Sequence, residues 1–569
     1  TISGLPFSTP PAALPLDEDS PDRPEYSYSL AKQLGETMAD ASIGDPSAGG
    51  LSYSRAYVGS GWRDTITGTV ARNGSTATVS FGGQSEAFTL SGSTFSPVAG
   101  SGSTLTQSGT SYTYRTSDGT TAVFAVLDVA DERAIGTPIS SLTRPNGERL
   151  TYDYDSVAFE KPVEPPIITV LTRLGSVTSN LGYQVKPTYE VAIATSLSQR
   201  SAYQKIIGVT VENLATGATS VASYGTGTVT RDGITTTYGF GTYGLTSIRR
   251  PTSTTDDIVV TYNSAGRVQS WADNGRTWTY AYSQSGSTLT TTVTNALSEV
   301  ETYVSNASTN RLMSRRDGLN HTTSYLYDSN GRVTRATLPE GNYTTYAYDS
   351  RGNVTTTTNV AKSGSGLTGI VTSAAYLTTC ANPVICNRPT STTDALGRVT
   401  DYTYDPVHGG PLTVTAPAPA TGGVRPQTRY TYQSMYAWYP SAQPVTRLTQ
   451  TSQCTTLSSC AGTADEALTT INYGSAAPSN RLPLQISQGS GDGALTATTT
   501  LTYTPQGDVQ SVDGPLPGSD DTTTYRYDDK RRLVGAIGPD PDGAGALQRS
   551  AIRNTYNLDN QITLAEQGT

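Results

Sequence analysis

Residues 327–355 read YDSNGRVTRATLPEGNYTTYAYDSRGNVT and state nearly the same phrase twice. Tyr327-Asp328 is followed by Gly331, and Tyr348-Asp349 is followed by Gly352, at an offset of 21 residues. Tyrosines at i and i+2 put both rings on one face of a strand. The acid then opens a turn, because its side chain accepts backbone N–H groups, and the glycine supplies positive φ. A return strand, RVTRAT, and a second turn at Pro339-Glu-Gly341-Asn342 complete the unit. One repeat is therefore two antiparallel strands and two turns.

The same chemistry recurs with substitutions. Tyrosine pairs occur at 26/28, 112/114, 152/154, 280/282, 325/327, 346/348, 402/404, 430/432 and 525/527, and those nine use 18 of the 35 tyrosines. Tyr404-Asp405 and Tyr527-Asp528 repeat the strand end and the turn acid. Asn263-Ser-Ala-Gly266 replaces the acid, Asp394-Ala-Leu-Gly397 uses it on the other turn, and Asn557-Leu-Asp-Asn560 replaces the glycine with the next most tolerant residue. Asp528-Asp-Lys-Arg531 is expected to be distorted.

Three regions follow from this pattern. Residues 1–50 form an acidic, proline-rich leader in which SLAKQLGETMADAS predicts one short helix. Residues 51–250 carry short strands between Gly/Ser turns, including the Asn-Gly hairpin signal in RPNGERLTYDYD at 144–155. Residues 251–569 form the repeat array, long enough for roughly 30 strands that would stretch over about 100 Å side by side. Twisted open sheets rarely exceed about 10 strands, so the ribbon should wind into a spiral or shell. The fold class is all-β: an antiparallel ribbon wound into a hollow shell or tube.

Composition agrees. Tyr 35 against Phe 7, hydrophobic residues at 35% and a mean hydropathy of -0.35 suit half-buried sheet faces better than a thick core. A net charge of -9 and a pI near 5.0 disfavour nucleic acid and anionic membranes as partners. No run of 18 apolar residues gives a transmembrane segment. The chain begins at Thr1 rather than Met, as a processed product would. A strand edge ending at Thr569 predicts either continuation of the chain or self-association through sheet edges.

Four cysteines make two C-x5-C loops, Cys380/Cys386 and Cys454/Cys460. Local disulfides are favoured over free thiols and over metal, and each would contribute roughly 2 kcal/mol. They imply export through an oxidising compartment. Other chemistry finds little support. His321 and His408 are too few and too separate for a histidine-based or metal site, and no nucleophile elbow or phosphate loop occurs. Asp328, Asp349, Asp405 and Asp528 all stand in turn positions where a structural role suffices. GPDPDGAGA lacks the ligand alternation of a calcium loop and reads as a turn. No catalytic, cofactor or metal residue is therefore assigned. Tyrosine faces could stack on glycans, although structural ladders are the stronger reading.

YLYDSNGRVTRAT, YAYDSRGNVTTTT, TDALGRVTDYTYD and TYNSAGRVQSW resemble the YD repeats of the RHS (rearrangement hotspot) family. The resemblance implies a β-ribbon wound into a hollow cocoon, in a secreted or surface-displayed bacterial protein. It leads to the expectation of a non-enzymatic structural wall, possible assembly into a larger extracellular structure being part of that expectation. In the toxin branch such shells enclose a C-terminal effector, freed by aspartyl self-cleavage at an Asp-Pro core motif. The Asp-Pro pairs at 45–46, 405–406 and 540–541 lack that motif's context, so self-cleavage is not carried over. The alternatives are a cargo-enclosing toxin fragment and a carbohydrate-binding adhesin.

Overall fold

The computed structural model describes residues 36–568 except 59–60, 83, 99–100, 126–135, 162–166, 421, 439–442, 455, 458, 519 and 544. Most of the leader, including the 26/28 tyrosine pair, lies outside the described residues. The part that is described corrects the helix expected there: Glu36–Ile43 is a strand, antiparallel to Leu51–Val58. Tertiary context overrides helix propensity at this point. Ala41 and Ile43 enter the core, and the buried Asp40 carboxylate is met by Arg55 and Arg231 from other strands. The α-helix among the described residues is a five-residue turn, Arg200–Gln204.

Strands Leu51–Val58 and Gly61–Asp64 complete a three-stranded sheet with Glu36–Ile43. A small ring then opens the main sheet, where Thr137 and Pro138 pair with Val70 and Thr69. From Thr137–Thr143 onward each strand pairs antiparallel with the next, as far as Ile562–Gly568. Ile562–Gly568 pairs with Ala551–Tyr556 and with no earlier strand among the described pairings. The sheet therefore winds; it does not close on its own beginning.

Contacts between distant turns of chain measure the winding. The Asn387 side-chain amide donates to the Ser117 carbonyl (3.0 Å), and Arg447 pairs with Glu148 (2.9 Å). The Asn480 amide donates to the Leu181 carbonyl (2.9 Å), and the Thr252 N–H donates to Asp559 (3.2 Å). These partners lie 270, 299, 299 and 307 residues apart. One circuit of the ribbon thus consumes nearly 300 residues, and the edge of the second circuit rests on the opposite edge of the first. We call the edge carrying the Asp328 and Asp349 turns the lower edge, and its opposite, carrying the 338–342 turn, the upper edge.

The two circuits differ in thickness. The main buried apolar cluster is drawn mostly from the first circuit and the 36–58 strands, with Ile43, Tyr53, Phe88, Phe124, Val185 and Val211 among its members, and Ala437 and Val445 join it from the second circuit. Beyond Val293, the buried apolar residues described are Ala437, Val445 and three of the cysteines. Most of the second circuit is a single sheet with half-buried side chains.

Gly147 tests the seam. Its φ is +85°, and a Cβ would stand 2.6 Å from the Pro444 carbonyl oxygen of the overlying circuit. Gly147→Val should destabilise by more than about 1 kcal/mol and strip hydrogen-exchange protection from 444–447. Gly341→Val, with φ +84° but open space around it, should leave that segment protected.

Candidate functional site

The repeated unit is built around one turn. The Gly331 N–H donates to the Asp328 carbonyl (3.0 Å), and the Asp328 N–H donates to the Arg332 carbonyl (2.9 Å). Asp328 Oδ1 accepts the Arg332 N–H (2.9 Å), and Oδ2 accepts Arg332 Nε (2.6 Å). Gly331 takes φ +86°, as the turn requires, and the register slips by one residue beside Tyr327.

The arginine and the next tyrosine then join repeat to repeat. The Arg332 guanidinium lies 4.7 Å over the Tyr348 ring. The Tyr348 hydroxyl donates to the Val333 carbonyl at 2.7 Å. Val333 and Tyr348 stand at the open end of the hairpin whose ladder runs from Arg335–Thr345 to Thr337–Tyr343. The hydroxyl therefore satisfies a carbonyl beyond the end of the ladder and clamps the two strands together.

This lock repeats along the ribbon. Tyr327 donates to Leu312, Tyr404 to Pro389, and Tyr527 to Val509. Tyr154, Tyr189, Tyr262, Tyr282, Tyr376, Tyr432, Tyr473, Tyr503 and Tyr556 make the same bond to preceding strands. Burial raises the Tyr348 hydroxyl above its ordinary pKa and pushes that of Tyr404 to about 12, so both remain donors at neutral pH. The spacing of two identifies tyrosine pairs but gives no sign that the second member carries the lock. The interval from accepting residue to tyrosine is 15 residues at Tyr154, Tyr189, Tyr327, Tyr348 and Tyr404 but varies from 14 to 25 at the others, so no fixed spacing marks the lock in the sequence.

The other turn acids likewise accept backbone N–H groups. Asp349 accepts the N–H groups of Arg351 and Asn353, and Gly352 has φ +92°. Asp405 accepts those of Val407 and His408. The Asp528 turn, expected to be distorted, closes like the others: Arg531 N–H donates to Asp528 O (3.1 Å), and Arg531 itself takes φ +62°. The arginine is held there by Asp508 (2.6 Å) and by the carbonyls of Ser42 and Gly44 across the seam. Long-range bonds offset the strain of that backbone conformation.

Both local disulfides are present, Cys380–Cys386 and Cys454–Cys460, with Cα separations of 5.0 and 5.5 Å. The first fastens a loop that braces the seam, since its neighbour Asn387 reaches the Ser117 carbonyl. Asp465 approaches the second, but both sulfurs there are already bonded to each other and offer no thiolate to a metal. His321 lies beside Asp317 at 3.2 Å, while His408 packs on Tyr432, and burial lowers its pKa. The structure brings neither histidine to the other.

Two predictions follow from this geometry. Tyr348→Phe should cost about 1 kcal/mol in chemical denaturation by removing one hydrogen bond, and Tyr346→Phe should cost less. The second concerns acid. Burial opposes the charge of Asp328 and of Asp528, yet the N–H and guanidinium of Arg332 and Arg532 outweigh it and hold both carboxyls below the ordinary range. At Asp394 the Arg398 N–H is the leading cause of the same shift. A folded pKa below the unfolded one gives stability that is full above about pH 4 and lost as pH falls through the folded value. Thermal midpoints should be flat near neutrality and fall in acid, and Asp328→Asn together with Asp528→Asn should make that fall shallower.

The family model described as RHS Repeat matches residues 308–342 and 327–363. No curated protein matches the sequence. Among solved structures, a Photorhabdus luminescens Tc holotoxin pore is similar at 12% identity and a TM-score of 0.30, over 90% of this chain and 30% of that one. A TcdB2-TccC3 crystal structure is similar at 12% identity and 0.28, over 92% of this chain and 33% of that one. A porin-like protein from Bacteroides uniformis gives 12% and 0.18, over 51% and 94%. The chain spans about a third of the length of the first two. At these scores the fold rests on the strand register itself.

Proposed function

We propose that the chain, whose residues 308–363 match the RHS Repeat family model, is a non-enzymatic wall: an exported bacterial β-shell whose repeats build an enclosure and perform no chemistry. The observation that carries this reading is the use made of the repeat's polar groups. Tyrosine hydroxyl, aspartate and arginine of successive repeats are spent on one another, on turn N–H groups and on carbonyls of the neighbouring strand. The disulfides support passage through an oxidising compartment. No helix among the described residues is long and apolar enough to cross a membrane.

A container role is the second reading, favoured by the single-sheet wall of the second circuit, which leaves a face free to surround something. By the family resemblance, that content would be a C-terminal effector. Cryo-electron microscopy of the purified protein tests the wall: a shell one sheet thick, about 10 Å, is expected, and a solid particle would overturn it. Limited proteolysis of the natural gene product tests the container. A polypeptide protected inside an intact shell supports it, and uniform digestion counts against it.

A further inference from the structure

The two disulfides close loops of equal length but occupy opposite edges of the second circuit. Cys380–Cys386 lies on the lower edge, between the Asp349 and Asp405 turns, where that circuit rests on the first. Cys454 ends the strand Val445–Cys454, whose other end meets Gly147 at the seam. Cys454–Cys460 therefore stands a strand's length from the seam, about 30 Å. Its loop bonds its own circuit, with the Thr456 N–H on Asp465 (2.9 Å). Exposure differs as well. Cys380 is exposed and Cys386 buried, whereas Cys454 and Cys460 are both buried.

The first loop fills the joint between the circuits. A Cβ on Gly119, in a first-circuit turn, would stand 3.0 Å from the Val384 Cα inside the loop. Asn387, next to Cys386, donates to the Ser117 carbonyl (3.0 Å) and accepts from Arg351 Nε and the Asn353 amide (both 3.1 Å). Arg351 also donates to the Leu377 carbonyl ahead of Cys380 (2.6 Å). The loop's own backbone bonds are short in range, such as the Cys386 N–H on the Asn382 carbonyl (3.0 Å). The cross-link is thus what holds Val384 and Asn387 in place over 117–119.

We propose that Cys380–Cys386 is a thiol-exchange site that latches the seam, opened by a dithiol reductant while Cys454–Cys460 persists. A reductant thiolate attacks Sγ of the exposed Cys380, forming a mixed disulfide and expelling the Cys386 thiolate. The reductant's second thiolate then displaces Cys380, and the reductant leaves as a disulfide. Two electrons pass to the protein, and each freed cysteine takes up a proton given up by an attacking thiol. Opening the ring returns conformational freedom to the loop, so Val384 and Asn387 leave the first-circuit turn. Arg447 with Glu148, elsewhere on the seam, does not involve this loop, so the circuits part locally. A wall closed in oxidising surroundings would thereby gain a gap on entering reducing ones.

Dithiothreitol, a dithiol, added to the native full chain tests this, with differential alkylation and mass spectrometry reading each disulfide separately. Cys380–Cys386 should open at least about tenfold faster than Cys454–Cys460. Hydrogen exchange on the same samples should quicken at 116–120 and 382–388 and stay unchanged at 444–447. The double variant Cys380→Ser, Cys386→Ser should show that exchange pattern without reductant. If it fails to fold, the unmodified chain still decides. Equal opening rates, earlier opening of Cys454–Cys460 or resistance of both would overturn the proposal. So would reduction of Cys380–Cys386 that leaves 116–120 and 382–388 protected, or that strips 444–447 as well. The wall reading is tested separately by microscopy and survives any of these results.

Discussion

The bond from a tyrosine hydroxyl to a carbonyl just past the end of a ladder underlies the wall. A single-layer sheet cannot draw its stability from a core on both faces, and the second circuit buries few side chains completely. Each hairpin must instead be fixed at both ends by polar groups. The turn closes one end, and Tyr348 on Val333, or its counterpart, closes the other. Because the arginine from the preceding turn covers the same ring, each repeat's lock depends on its neighbour's turn. Stability is therefore nearest-neighbour in character, as in other repeat arrays.

Much of this was legible in the sequence. The spacing of two between Tyr325 and Tyr327, with Asp328 and Gly331 at fixed offsets, predicts strand, turn and return strand, all of which occur. The need to wind followed from strand width alone. The length of a circuit was not legible, because it depends on twist summed over many strands and on contacts such as Arg447 with Glu148, nearly 300 residues apart. The strand at 36–43 was missed for a related reason: its local composition favours helix, and its partners Arg55 and Arg231 lie elsewhere in the chain. At Arg531 local turn chemistry pointed to distortion, and the contacts that prevent it come from Ser42, Gly44 and Asp508.

The seam works differently from the ribbon. Within the ribbon, backbone ladders join strands. Across the seam, many contacts run from side chains to carbonyls or carboxylates, as with Asn387, Asn480 and Arg531. The 42–50 segment is drawn into the same joint, with the Gly44 N–H on the Gln506 carbonyl and the Ala48 carbonyl on Arg447. Such contacts tolerate loops of different length along one edge, and that edge includes the disulfide loop at Cys380–Cys386.

A circuit of nearly 300 residues also sets a clock. Hairpins form from neighbouring residues as soon as they are made, but an upper-edge turn such as 180–182 meets its cover only when 480 has been synthesised. At about 5–20 residues per second that interval is roughly 15–60 s. Through it the first circuit stands as an open sheet with its upper turns wet. A chain of this design is therefore most exposed to proteases and to mispairing during its own synthesis, and each added circuit retires that hazard for the one beneath it.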